Sequence, residues 1–131
     1  MLKARKSELA DRIYHRALHI TGENERVLEG SAALRKGNIA RFGELMFESH
    51  QSSIHNFENS APELDRLVEA ARKTPGVYGA RLSGGGFGGA TINLVERGRE
   101  EEVVAALTAT APAIKCLVTG AAAGALDTAA S

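Results

Sequence analysis

The segment Gly84-Gly85-Gly86-Phe87-Gly88-Gly89 carries five glycines in six positions. Ordering so many glycines is costly in backbone entropy, and a plain hairpin turn needs only one or two of them. Two kinds of chemistry fit such a run. Its backbone N–H groups can line an anion site, as successive amides do in phosphate nests. Alternatively the run can pack flat against another backbone that itself holds a phosphate. A flexible hairpin loop is the plain alternative, and the residues alone leave these readings even. The run is neither a Walker A loop nor a G-x-G-x-x-G followed by a helix. It lies between two strand-like segments, so a helix N-terminus is not its anion receptor.

Other residues of chemical type are weaker signals. His15 and His19 stand four apart, on one side of a helix. A zinc site of the H-E-x-x-H kind needs a Glu directly after the first His, where this chain has Arg16, and a third ligand. Both are read as solvated or hydrogen-bonded helix residues, and no metal site is expected. His50 could act as a base near neutral pH, but no orienting partner stands beside it in the sequence, so a structural hydrogen-bonding role is expected. Arg81 precedes the glycine run by three residues. Its fork suits phosphate, while on a strand it more often faces solvent or a carboxylate. Cys116, flanked by Ile114 and Leu117-Val118, is expected to be a buried, inert thiol. A single cysteine forms no internal disulfide and suits a reducing compartment. No residue of the chain is assigned a catalytic role.

These residues need elements to position them. Leu9, Ile13, Ala17, Ile20, Val27, Leu28, Ser31 and Leu34 follow a helical period. They predict one long helix, opened near Ser7-Glu8, running through Gly22 and closed at Lys36-Gly37, where Gly37 suits a left-handed cap. Asn38 then caps a second helix with Ile39, Phe42, Leu45, Met46, Ser49 and Ser53 on one face. Residues 56–61 read as a connector. Ser60-Ala61-Pro62-Glu63 reads as a capping box opening a third helix, which Thr74-Pro75-Gly76 stops. Strands are expected at 77–82 and 90–95, a helix at 100–108 with Glu100, Glu101 and Glu102 in its first turn, a third strand at 114–119 and a short fourth at 125–126. The tail 127–131 is expected to fray. Helices followed by strand, strand, helix and strand predict an α+β fold, with a small antiparallel sheet covered by helices on one face.

The composition narrows the function classes. The 131 residues suit one domain spanning 1–131. Sixteen basic and sixteen acidic side chains cancel, so no net field argues for nucleic acid or an anionic membrane surface. The basic cluster at Lys3-Ala4-Arg5-Lys6 is read as a solvated helix start. No apolar run approaches the ~20 residues of a membrane span, and no apolar stretch follows the basic N-terminus as in a secretory signal. A cytoplasmic location is the resulting expectation.

The segment Val77-Tyr78-Gly79-Ala80-Arg81-Leu82-Ser83-Gly84-Gly85-Gly86-Phe87-Gly88-Gly89-Ala90-Thr91-Ile92 resembles the third signature motif of galactokinases, within the GHMP small-molecule kinases. Glu23-Asn24-Glu25-Arg26-Val27, Phe42-Gly43-Glu44-Leu45-Met46, Glu48-Ser49-His50 and Ser60-Ala61-Pro62-Glu63-Leu64-Asp65 resemble galactokinase segments in the same order. Thr119-Gly120-Ala121-Ala122-Ala123-Gly124-Ala125 is a weaker match. The resemblance implies the ferredoxin-like C-terminal domain of an enzyme that phosphorylates the anomeric hydroxyl of galactose with ATP and Mg²⁺. It implies that Gly84, Gly85, Gly86, Phe87, Gly88 and Gly89 line a site lying between two domains. Two segments depart from the family pattern. Ala90 stands where Cys is common, and His55-Asn56 stands where acidic residues are common.

In similar proteins the sugar-binding motif, the Gly-Leu-Ser-Ser-Ser phosphate loop and the catalytic Asp and Arg belong to an N-terminal region, and none of these motifs occurs here. Phosphoryl transfer needs a metal, a phosphate cradle and a positioned nucleophile together. The chain is therefore expected to be inactive alone, to bind neither ATP nor Mg²⁺ tightly, and to need an N-terminal kinase domain as partner. A non-catalytic small-molecule-binding or protein-interaction module derived from the same fold is the competing expectation. A face stripped of its partner domain also favours self-association, and hence a homodimer.

Overall fold

The computed structural model describes residues 10–83 and 89–120. Helix α1 spans Asp11–Arg35, α2 spans Ile39–Ser52, and a π-helical turn, Ser53–Phe57, prolongs α2. Helix α3 spans Pro62–Arg72, strands β1 and β2 span Val77–Ser83 and Ala90–Val95, and α4 spans Glu100–Thr110. The α+β class expected from the sequence is the one found, but the helices expected on one face of the sheet lie on both sides of β1. The expected start of α1 at Ser7-Glu8 and the strand at 125–126 lie outside the described residues.

Helix α1 is continuous through Gly22 and about 37 Å long. It ends where Gly37 adopts φ +72°, a left-handed conformation that glycine takes without steric cost. One residue on, the Asn38 side chain accepts a hydrogen bond from the Arg41 N–H and opens α2. The chain leaves the π-helical turn through Glu58, also left-handed at φ 57°. Pro62 takes the first position of α3, where its missing N–H costs nothing. The expected capping box does not form. Ala61 is the cap residue, and Ser60 spends its hydroxyl on Asp65 instead.

Strands β1 and β2 pair antiparallel, from Gly79 opposite Leu94 to Ser83 opposite Ala90, with an irregularity between Val77 and Gly79. A lone hairpin is marginal in water, and this one is sandwiched. On one side, Ala80 joins Val68 and Ala71 of α3 and Val103 and Leu107 of α4 in the apolar core. On the other, α2 lies directly on β1. A Cβ on Gly43 would overlap the Tyr78 carbonyl, and one on Gly79 would overlap the Gly43 carbonyl. The two glycines let helix and strand touch backbone to backbone.

The apolar line that marks α1 as a helix faces outward: Ile13, Ile20 and Leu34 are about half exposed, Val27 is 69% exposed and Leu28 74%. The buried residues of α1 are Tyr14, His19, Gly30 and Ala33. Helical period identifies an apolar face but not which neighbour covers it, and α2 meets the opposite side of α1, with Phe42 and Leu45 beside Gly30 and Ser49 and Ser52 beside Glu23 and His19. The expected third strand at 114–119 is not regular structure. Leu117 is 88% exposed, and among the described residues β1 and β2 form the whole sheet. Cys116, expected to be buried, is exposed for the same reason.

Candidate functional site

Strand β1 delivers the chain to the glycine run. Gly84, Gly85, Gly86, Phe87 and Gly88 lie outside the described residues, and Gly89 is exposed at the entrance to β2. The geometry therefore concerns the base of the run, where β1, α1, α2 and α3 bring polar side chains together.

Arg81 extends from β1 toward α1, where its Nη2 lies 4.0 Å from Glu23. Glu23 also accepts from Arg26 Nε at 2.6 Å and from Ser49 Oγ at 2.9 Å. Burial alone would raise the Glu23 carboxyl. The hydrogen bonds from Arg26 and Ser49, with the charges of Arg26 and Arg81, outweigh it and hold the group below its ordinary value. Arg81 faces a carboxylate, as a strand arginine often does. Arg26 Nη2 and Arg81 Nε are buried without a hydrogen-bond partner.

The seam continues along α1. His19 Nδ1 lies 2.8 Å from Ser52 Oγ, which also accepts from Asn56 Nδ2 at 3.1 Å. His15 Nδ1 meets Asn56 Oδ1 at 3.0 Å, and Arg16 donates to the Asn56 carbonyl at 2.8 Å. His15 and His19 are thus hydrogen-bonded helix residues, and burial pushes His19 below its ordinary value. Asn56, one of the two departures from the family pattern, is a hub of this seam. His55 is exposed and reaches Gln51 at 3.2 Å.

His50 is completely buried at the foot of β1. Its Nδ1 accepts from the Leu82 N–H at 3.0 Å, and its Nε2 donates to Asp65 Oδ1 at 2.9 Å. Ser60 Oγ donates to the same oxygen at 2.6 Å. No orienting partner stands beside His50 in the sequence, yet Asp65 is one. It lies fifteen residues away, a separation at which residue spacing carries no signal. Ser, Asp and His in contact do not make a nucleophile here. The serine donates to the aspartate rather than the histidine, and the imidazole lone pair is taken by a backbone amide.

A groove of about 620 Å³ opens between α1 and α2, lined in part by Leu18, Gly22, Arg26, Phe47, Glu48 and Gln51. Among the described residues, no three His, Cys, Asp or Glu side chains group to hold a metal ion, and no helix is long and apolar enough to cross a membrane.

A family model for the C-terminal region of GHMP kinases matches residues 31–113, from the end of α1 to just beyond α4. The chain belongs to the GHMP kinase family. Among curated proteins, galactokinases from Bos taurus and Homo sapiens are each 50% identical to this domain over 95 residues, covering 72% of this chain and 24% of theirs. The galactokinase of Roseiflexus sp. is 48% identical over 100 residues, covering 76% and 26%. Among solved structures, Lactococcus lactis galactokinase complexed with galactose superposes with a TM-score of 0.80 at 35% identity, over 83% of this chain and 28% of that one. L. major mevalonate kinase in complex with R-mevalonate gives 0.61 at 28% identity, over 85% and 33%. The chain spans about a quarter of the length of the curated relatives it matches.

Proposed function

We propose that residues 1–131 form the C-terminal domain of a galactokinase, which in complete form transfers a phosphoryl group from ATP to galactose. The observation that carries this reading is the 50% identity to galactokinases, together with the 0.80 superposition on a galactokinase complexed with galactose. Gly84, Gly85, Gly86, Phe87, Gly88 and Gly89 line the active site on this domain's side. The N-terminal kinase domain supplies the catalytic residues and the phosphate loop. The described residues do not gather a ligand set for Mg²⁺, so no step through the ion or the nucleotide is assigned to them. The enzyme works in the cytoplasm.

Alone, the chain is inactive and binds ATP and Mg²⁺ weakly at most. A coupled assay for ATP-dependent phosphorylation of galactose tests this. No turnover is expected from the chain alone, and turnover is expected when it is joined to a galactokinase N-terminal region. Robust turnover by the chain alone, or none from the joined protein, overturns the reading. The outward apolar line of α1 supports a second, compatible expectation, that the isolated chain forms a homodimer. Light scattering that gives a monomer at high concentration removes it.

A further inference from the structure

We propose that His50 is a positioning residue, which fixes the end of β1 ahead of the glycine run by accepting the Leu82 N–H on an imidazole of locked tautomer. The argument begins with an accounting of backbone groups. A buried backbone N–H needs an acceptor, and that of Leu82 is donated not to a strand but to a side chain, His50 Nδ1. A backbone amide only donates, so Nδ1 carries no proton and Nε2 carries it, aimed at Asp65. Asp65 is held in turn by Ser60. The line Leu82, His50, Asp65, Ser60 ties the end of β1 to the last turns of α2 and to the start of α3. Since His50 is 0% exposed, water has no access to replace it.

The same geometry makes the tie dependent on charge. A proton added at Nδ1 would turn the acceptor into a second donor facing the Leu82 N–H, and the tie would break. The charged groups facing the imidazole are Asp65 and Arg72 of α3 and Arg81 of β1. Arg81 is itself opposed by Glu23 of α1. Burial keeps the ring neutral, Arg81 and Arg72 act in the same sense, and Asp65 opposes them. A histidine serving only to fill space would show neither a fixed tautomer nor this directional dependence.

Three measurements test the assignment. The first uses the unaltered chain. Two-bond ¹H–¹⁵N spectra of the His50 ring at pH 7.5 are expected to show the Nε2–H tautomer, and an Nδ1–H ring overturns the proposal. The second compares two variants. His50→Asn places an amide oxygen near the position of Nδ1 and keeps an acceptor for Leu82. His50→Gln reaches toward Asp65 and gives that acceptor up. Hydrogen exchange at the Leu82 amide is expected to quicken about tenfold or more in His50→Gln, relative to other β1 amides, and far less in His50→Asn. Equal exchange in the two variants overturns the proposal. The third carries the pair into the complete kinase, and so rests on the galactokinase reading. There kcat is expected to fall further for His50→Gln than for His50→Asn, with little change in the KM for galactose. If the exchange pattern holds while the complete protein shows no galactose phosphorylation even unmutated, the tie at β1 stands and the galactokinase reading falls. If kcat responds equally to both variants, the functional role of the tie falls.

Discussion

The two sides of strand β1 are built on opposite principles. Toward α3 and α4 it packs Ala80 into a cluster of Val68, Ala71, Val103 and Leu107. Toward α2 and α1 it meets a seam of His19, Glu23, Arg26, Ser49, Ser52 and Arg81, joined by directed hydrogen bonds and ion pairs. The apolar side gains free energy by removing hydrocarbon from water, with little regard for orientation. The polar side gains little net energy per contact, but each contact is costly to leave half-made. Cohesion therefore comes from one side, and the placement of β1 and of the chain entering the glycine run comes from the other. Between them the backbones of Gly43 and Gly79 touch, and there neither principle has room to adjust.

Substitutions can break this contrast in a defined order. The largest effect is expected from Gly43→Ala, whose methyl would overlap the Tyr78 carbonyl. The loss should exceed the ~3 kcal/mol of ordinary overpacking and leave the chain unfolded or aggregated by circular dichroism. Leu82→Ala, at a fully buried position on β1, should cost about 2–5 kcal/mol in denaturant unfolding. In the seam, Ser49→Ala removes a donor from Glu23 and should cost about 1–3 kcal/mol. A seam substitution costing as much as the core one would collapse the distinction between the two sides.

Acid should act on the polar side first. His19 and His50 are both held below the ordinary histidine value of 6.5, chiefly by burial. Their neutral forms stabilise the fold, so that stabilisation is complete above 6.5 and declines as pH falls below it toward the depressed folded values. Glu23, also held below its ordinary value of 4.5, adds a second loss below that pH. Denaturation midpoints measured from pH 7.5 to 4 should fall through this window, and a flat profile would contradict it. The smallest effect is expected on the outward face of α1. Val27→Thr or Leu28→Gln should change stability by no more than about 0.5 kcal/mol, while lowering any self-association seen by light scattering.

Local signals were legible and long-range ones were not. The Gly37 cap, the Asn38 cap, the Pro62 start and the acidic first turn of α4 each depend on neighbours within four residues, and each is found. The capping box at Ser60 is a local signal displaced by another nearby partner, since Ser60 donates to Asp65, five residues on. The period of α1 marks a helix, and a helix is found, but the period alone does not say that the side meeting α2 is the one holding Tyr14, His19, Gly30 and Ala33. The strand expected at 114–119 has β-branched and apolar residues but no pairing partner among the described residues, and strand propensity without a neighbour forms no ladder. The residues at the foot of the glycine run were found singly. His50 was expected in a hydrogen-bonding role and Arg81 facing solvent or a carboxylate. Their partners, Asp65 and Glu23, lie 15 and 58 residues away, so no spacing rule could have named them.

The contact of Gly43 with Gly79 has a consequence for recombining this domain with its relatives. A chimaera that takes α2 from one parent and β1 from another inherits a joint with no tolerance for even one added methyl on either side. Crossover points between residues 43 and 79 will be viable only where both parents bring glycine to the joint. Compatibility of parents at that one crossing should then sort working hybrids from failed ones more sharply than overall identity does.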